Sequence, residues 1–140
     1  MADARALGRD DLIVVTGAGG FIGGHLLQAL WRGGHKRLRA VDVKPIEEWM
    51  QVVPDADNRQ LDLRRLESCV QTTANAREVY NLACDMGGMG FIETHKAECM
   101  ISVLINTHML MAARDAEIRL ARVLADQVKT RLAAALSTGT

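Results

Sequence analysis

Charge of either sign is missing as a net quantity in this sequence. Seventeen lysines and arginines offset seventeen aspartates and glutamates, so the electrostatic footprint of a nucleic-acid or anionic-membrane binder is absent. No apolar run approaches the roughly 20 residues needed to span a bilayer. The polar start, Met1 to Asp11, has no apolar stretch of the kind a secretory signal needs. Cysteine is scarce: Cys69, Cys84 and Cys99 make no close pair and no metal-type spacing, and are expected as reduced thiols in a cytoplasmic protein. His95 and Cys99 lie one helical turn apart, but two ligands do not make a metal site. Both prolines, Pro45 and Pro54, fall in one stretch that reads as a loop, and the single tyrosine is Tyr80. Neither an internal repeat nor a low-complexity segment is present. A chain of 140 residues then suits one domain with a sizeable core.

Against that background one segment stands out. Leu12 to Thr16 is a continuous apolar run, the pattern of a buried parallel strand, and it leads directly into Gly17-Ala18-Gly19-Gly20-Phe21-Ile22-Gly23. Each of three glycines has a separate physical task. Gly17 permits a tight turn, Gly20 lets a pyrophosphate approach the backbone, and Gly23 allows the following helix to pack close to the strand. The phosphates would rest on unpaired N–H groups at the helix N-terminus, where the dipole favours negative charge. Ile22, Leu26 and Leu30 recur at helical spacing and Gly33-Gly34 supplies the stop. A second apolar strand, Leu38 to Val43, carries Asp42 about 20 residues beyond the last glycine, where a dinucleotide fold places the acceptor for ribose hydroxyls. A carboxylate there repels the extra phosphate of NADP, which favours NAD; the adjacent Lys44 would soften that repulsion.

The alternation of strand and helix continues. A short third strand is expected near Arg59 to Leu61, followed by Asp62-Leu63 and a helix over Leu66 to Ala74. A fourth strand spans Glu78 to Leu82, a glycine-rich loop covers Met86 to Gly90, and a long helix runs from about Thr94 to Ala116. Strands separated by helices imply an α/β fold, a Rossmann-like doubly wound parallel sheet with right-handed crossovers. Ligands in such sheets bind beyond the carboxyl ends of the strands, which would gather Gly17, Asp42, Asp62 and Gly87 at one edge.

Thr16 to Gly23, Asp42, Asp62-Leu63 and Asn81-Leu82-Ala83 together resemble the cofactor half of an extended short-chain dehydrogenase/reductase, of the NAD-dependent epimerase/dehydratase kind. The run from Asn81 to Ile92 is more specific and resembles the GDP-mannose 3,5-epimerase branch, as do Met109-Leu110 and Ala112-Ala113-Arg114. The resemblance covers roughly Asp11 to Ile118. It implies NAD held by Gly17, Gly19, Gly20, Phe21, Ile22 and Gly23, with Asp42 on the adenosine ribose and Asp62 and Leu63 beside the adenine. Leu82 and Ala83 would line the cofactor, and Gly87 and Gly88 would touch a nucleotide sugar of the GDP-mannose type. Cys84 stands where the family has alanine, and is expected as a small buried residue. Ser102 stands near a position on the long helix where these enzymes often keep an asparagine.

The family oxidises a sugar carbon with a tyrosine whose pKa is lowered by a lysine four residues on. Four residues beyond Tyr80 stands Cys84, and Tyr80 lies in the fourth strand as a core residue. No catalytic residue is therefore assigned. From Arg119 onward, Leu120, Val123, Leu124, Val128, Leu132 and Leu136 fall on one helical face, so residues 1–118 are expected to form the NAD-binding domain and 119–140 an amphipathic helical tail. A sheet of four strands in the order 3-2-1-4 would leave strand four at an edge with unpaired N–H and C=O groups. The tail, a second copy of the chain or a partner chain is expected to cover it. Three functions follow: an NAD-binding portion not catalytic alone, an epimerase subunit completed by a partner chain, and a non-catalytic interaction module with this fold.

Overall fold

The computed structural model describes residues 6–84, 96–116 and 119–120. The elements are β1 (Ile13–Thr16), α1 (Phe21–Arg32), β2 (Leu38–Asp42), a single 3-10 turn (Ile46–Glu48), β3 (Asp57–Gln60), α2 (Leu66–Thr73), β4 (Glu78–Asn81), α3 (Lys96–Asp115) and β5 (Arg119–Leu120). All strand pairs are parallel, and the sheet order is β3-β2-β1-β4-β5. This is the Rossmann-like sheet expected from the alternation of patterns.

Strand periodicity divides the core into two layers, because successive side chains point to opposite faces. Ile13, Val15, Leu38, Ala40 and Tyr80 pack on one face with Leu26, Leu27 and Leu30 of α1. Val14, Val41 and Val79 pack on the other with Cys69 of α2 and Met109 and Ala112 of α3. Tyr80 is thus a core residue, as its place in the fourth strand implied. α1 stops where the glycines said it would: Gly33 caps it, donating to the Ala29 carbonyl, and Gly34 takes a left-handed φ of +94°.

Two buried charges break the apolar pattern of β2. Arg39 donates from Nη1 to the Thr72 and Ala74 carbonyls at 2.8 and 2.9 Å, so its cation satisfies the C-terminal end of α2, and its Nε meets Asp57 Oδ2 at 3.0 Å. β3 reads Asp-Asn-Arg-Gln, a polar edge strand suited to a sheet margin that must not attract a foreign strand.

The expectations differ from the structure in three places. Arg119–Leu120 is a strand, not the start of a helix: it pairs with Glu78 and Val79, because backbone pairing at an open sheet margin outweighs the helical preference of those two residues. Strand four therefore has a neighbour over two residues, and the rest of the expected helical tail, 121–140, lies outside the described residues. Cys84 is exposed instead of buried, since β4 ends at Asn81 and the chain has left the sheet. The third strand begins two residues earlier than the sequence pattern placed it. No described helix is long and apolar enough to cross a membrane.

Candidate functional site

The carboxyl ends of β1, β2, β3 and β4 open onto a cleft of about 600 Å3. Its floor is the glycine turn. Gly17 has a φ of +67°, and a Cβ there would lie 2.5 Å from the Leu82 carbonyl oxygen. Gly20 N–H donates to the Gly17 carbonyl at 3.1 Å and closes the turn. A Cβ on Gly23 would overlap the Gly17 carbonyl oxygen, so this glycine lets α1 begin directly under the turn. A Cβ on Gly19 would meet the Trp49 ring at 2.6 Å. Packing thus requires glycine at 17, 19 and 23.

Gly20 is different. Its φ of −87° is open to any residue, and the nearest atom to an added Cβ is the Gly17 carbonyl oxygen at 3.4 Å, an ordinary contact. Gly20 faces the cleft and heads α1 as its N-cap, with no side chain capping the helix and no acidic residue in the first turn. The first-turn N–H groups of a helix have no acceptor within it. This end of α1 therefore presents unneutralised donors and the positive end of the dipole beside a bare backbone. Nothing among the described residues demands glycine at 20; a ligand pressed against the turn would.

The wall on the β2–β3 side is charged. Asp42 Oδ2 accepts from Gly19 N–H at 2.9 Å and Oδ1 from Lys44 N–H at 3.0 Å, which ties the end of β2 to the glycine turn. A carboxylate offers about four acceptor positions, so about two remain beyond these bonds. Trp49 supports the same turn from behind: Nε1 donates to the Lys44 carbonyl at 3.0 Å, and Met50 N–H donates to the Gly19 carbonyl at 3.2 Å. Beyond β3, Asp62 is gripped by Arg64. Nε lies 2.9 and 3.1 Å from the two carboxylate oxygens, Nη2 lies 2.7 Å from Oδ2, and Arg64 N–H donates to Oδ1 at 3.0 Å. The Arg64 hydrogen bonds hold the Asp62 carboxyl below its ordinary pKa, against a smaller opposing effect of burial. Leu63 packs beneath, where its carbonyl accepts the Cys69 thiol at 3.2 Å. Burial, helped by the Asp62 charge, pushes that thiol up to about 11, so Cys69 stays protonated and inert.

The wall on the β1–β4 side is neutral. Thr16 Oγ1 donates to Asn81 Oδ1 at 2.6 Å and accepts from the N–H groups of Leu82 and Ala83 at 3.1 and 3.2 Å. Asn81 Nδ2 in turn donates to Asn106 Oδ1 of α3 at 2.6 Å. Leu82 and Ala83 are thereby fixed at the rim, with Cys84 next to them and Ile101 and Ile105 of α3 closing the side.

The structure brings seven of the expected residues to this cleft: Gly17, Gly20, Asp42, Asp62, Leu63, Leu82 and Ala83. Gly19 and Gly23 shape the turn from behind. The side chains of Phe21 and Ile22 are exposed, Phe21 packs on the His25 ring at 4.3 Å between centroids, and neither residue lines the cleft. Gly87 and Gly88 lie outside the described residues. Sequence reasoning missed Arg64, Ile101, Ile105 and the Thr16–Asn81–Asn106 chain. The spacing of Ile101 and Ile105, one turn apart, marks a helix face, but only the docking of α3 shows what it faces.

Comparison with known proteins agrees with this geometry. The NAD dependent epimerase/dehydratase family matches residues 13–128. GDP-mannose 3,5-epimerase 1 of Oryza sativa subsp. indica is 40% identical over 103 residues, which is 73% of this chain and 27% of that protein. GDP-mannose 3,5-epimerase of Arabidopsis thaliana is 39% identical over the same shares of both chains. The chain thus spans about a quarter of the length of these plant relatives. Among solved structures, the Thermus thermophilus UDP-glucose 4-epimerase in complex with NAD is similar in fold, with a TM-score of 0.67 at 22% identity over 77% of this chain and 35% of that one. The chain belongs to the NAD dependent epimerase/dehydratase family, whose cofactor is NAD.

Proposed function

We propose that this chain is the NAD-binding portion of a nucleotide-sugar epimerase/dehydratase and does not carry the catalytic step on its own. The observation that carries the cofactor reading is Gly20: of the two glycines of the turn that line the cleft, it is the one that packing does not require, and it stands at an uncapped helix N-terminus. The pyrophosphate would lie against Gly20 and the first-turn N–H groups of Phe21 and Ile22, the ribose on Asp42, the adenine near Asp62 and Leu63, and the other half of the cofactor along Leu82 and Ala83. The Asp42 carboxylate favours NAD over NADP. NAD supplies a hydride acceptor when bound; the residues of the cleft would bind and orient it.

The catalytic part of the reading rests on the sequence. The only tyrosine in the 140, Tyr80, is buried under α1 with Cys84 four residues on, so the tyrosine–lysine pair of the family is not among them. Substrate is proposed from the plant relatives alone: a nucleotide sugar of the GDP-mannose kind, met by Gly87 and Gly88.

Calorimetric titration with NAD tests the cofactor reading, and Gly20→Ala is the informative variant. Asp42→Ala would also release the N–H groups of Gly19 and Lys44 and confuse binding with folding. Gly20→Ala is expected to keep stability within about 1 kcal/mol of the unsubstituted chain. Its NAD affinity should fall about tenfold or more, as a methyl group is forced into the phosphate contact. Equal affinity in the two proteins would refute the reading.

A further inference from the structure

We propose that Trp49 is a positioning residue that holds the Asp42 carboxylate and the glycine turn in one register, so that the cleft tells a ribose from a 2′-deoxyribose. The inference rests on the cofactor reading above and deepens it. Four hydrogen bonds close a circuit around this corner of the cleft. Gly19 N–H donates to Asp42 Oδ2 at 2.9 Å, and Met50 N–H donates to the Gly19 carbonyl at 3.2 Å. Trp49, next to Met50 in the chain, donates from Nε1 to the Lys44 carbonyl at 3.0 Å, and Lys44 N–H returns to Asp42 Oδ1 at 3.0 Å. Asp42 and Trp49 supply the side chains of the circuit, and both are buried.

Three stretches of chain meet in this circuit: the glycine turn, the end of β2 and the strap from Pro45 to Val53. The strap is tightly wound, with Glu48 N–H on the Pro45 carbonyl at 2.9 Å and Trp49 N–H on the Ile46 carbonyl at 3.1 Å. Trp49 and Val53 anchor it in the core layer that holds Leu26 and Leu27 of α1. The indole also meets the turn directly. A Cβ on Gly19 would lie 2.6 Å from Trp49 Cδ1 and 3.0 Å from Asp42 Oδ2, so ring and carboxylate flank the same point. Loss of the indole N–H opens the circuit at Lys44. Asp42 keeps both of its N–H donors, but the tie that fixes those donors relative to each other is gone. An acceptor held in its binding direction reads a hydroxyl, whereas one free to turn bears an ordering cost on binding. Because the strap lies outside the glycine motif, its hold on the acid is a separate determinant of the site.

ADP and 2′-deoxy-ADP share base and pyrophosphate and differ at one hydroxyl, so their affinity ratio isolates the ribose contact from the rest. Titration of the full chain is expected to favour ADP about tenfold, the scale of one hydrogen bond to a charged group. Trp49→Phe keeps a ring against Gly19 and leaves Asp42 in place. Its ratio should fall to about threefold or less, through weaker ADP binding. Trp31→Phe, the same exchange against the same core but outside the circuit, should keep the full ratio. A second measurement needs no change at position 49 and decides the matter if Trp49→Phe fails to fold. Deuterium exchange at the Trp49 indole N–H, assigned by the signal that disappears in Trp31→Phe, should slow about tenfold with saturating ADP and about threefold or less with saturating 2′-deoxy-ADP. A full ratio in Trp49→Phe, or an equal loss in Trp31→Phe, overturns the proposal, as does exchange slowed equally by both nucleotides. An unsubstituted chain that binds NAD but takes both nucleotides equally overturns it and leaves the cofactor reading standing. One that binds neither NAD nor ADP removes the cofactor reading, and this inference with it.

Discussion

On the β2–β3 side of the cleft, two carboxylates accept hydrogen bonds from Gly19, Lys44 and Arg64. On the β1–β4 side, a hydroxyl and two amides hold the rim, with isoleucines behind them. The charged wall spends much of its acceptor capacity on the protein, all four Arg64 contacts falling on Asp62, while Asp42 takes two bonds and faces the cleft. The neutral wall spends its capacity internally: Thr16 uses its one proton and both lone pairs on Asn81, Leu82 and Ala83. One wall presents charge to the cleft, the other holds a backbone still. The glycine turn joins them, which is why its two kinds of glycine answer different demands.

The largest expected effect comes from breaking that junction. Gly23→Ala drives a Cβ into the Gly17 carbonyl, a backbone atom that cannot rotate away, and should cost about 3 kcal/mol of stability. Thermal melting of Gly23→Ala beside Gly20→Ala is the direct comparison: the first should melt far below the unsubstituted protein and the second close to it. Equal losses would show that packing, not a ligand, dictates glycine at both positions.

The two walls were unequally legible in the sequence. The charged wall follows from spacing, because a glycine turn after an apolar strand and an acid at the end of the next strand are local features with fixed chemistry. Asp42 and Asp62 could therefore be placed from the sequence, although the grip of Arg64 on Asp62 could not. The neutral wall depends on contacts remote in the chain. Thr16 meets Asn81 across 65 positions and Asn81 meets Asn106 across 25, and no periodicity encodes such pairings. The same limit explains Arg119–Leu120: the composition of this stretch favours helix, but the open edge of β4 supplied partners that composition cannot register. Cys84 was misplaced for a smaller reason, a strand boundary one residue earlier than expected.

A middle-sized effect tests the neutral wall alone. Thr16 is fully buried, so Thr16→Val leaves the N–H groups of Leu82 and Ala83 and the Asn81 amide oxygen short of a partner, at a cost of about 2 kcal/mol. Thr16→Ser keeps the hydroxyl and should recover most of that loss. If the two variants melt alike, the methyl group matters and the network does not.

The smallest effect separates an ion-paired carboxylate at the far end of β3 from the neutral wall by pH. Burial disfavours ionisation of Asp57, but its hydrogen bonds to Arg59 and Arg39 and their charges outweigh that and set its pKa below the ordinary value; Asp62 is lowered likewise by Arg64. A carboxylate depressed in the folded state binds fewer protons there than in the unfolded chain. Its stabilisation is therefore complete above the unfolded pKa, near 3.9, and is lost as pH falls through the folded value. With 43% of its side chain exposed, Asp57 is screened by solvent, and its contribution at neutral pH should not exceed about 1 kcal/mol. Asp57→Asn should accordingly melt slightly below the unsubstituted protein at pH 7, and the gap should close in acid. The deficit of Thr16→Val, which involves no titrating group, should persist unchanged over the same range. A Thr16→Val deficit that shrinks in parallel with that of Asp57→Asn would mean that the neutral network is coupled to titrating carboxylates and does not stand alone.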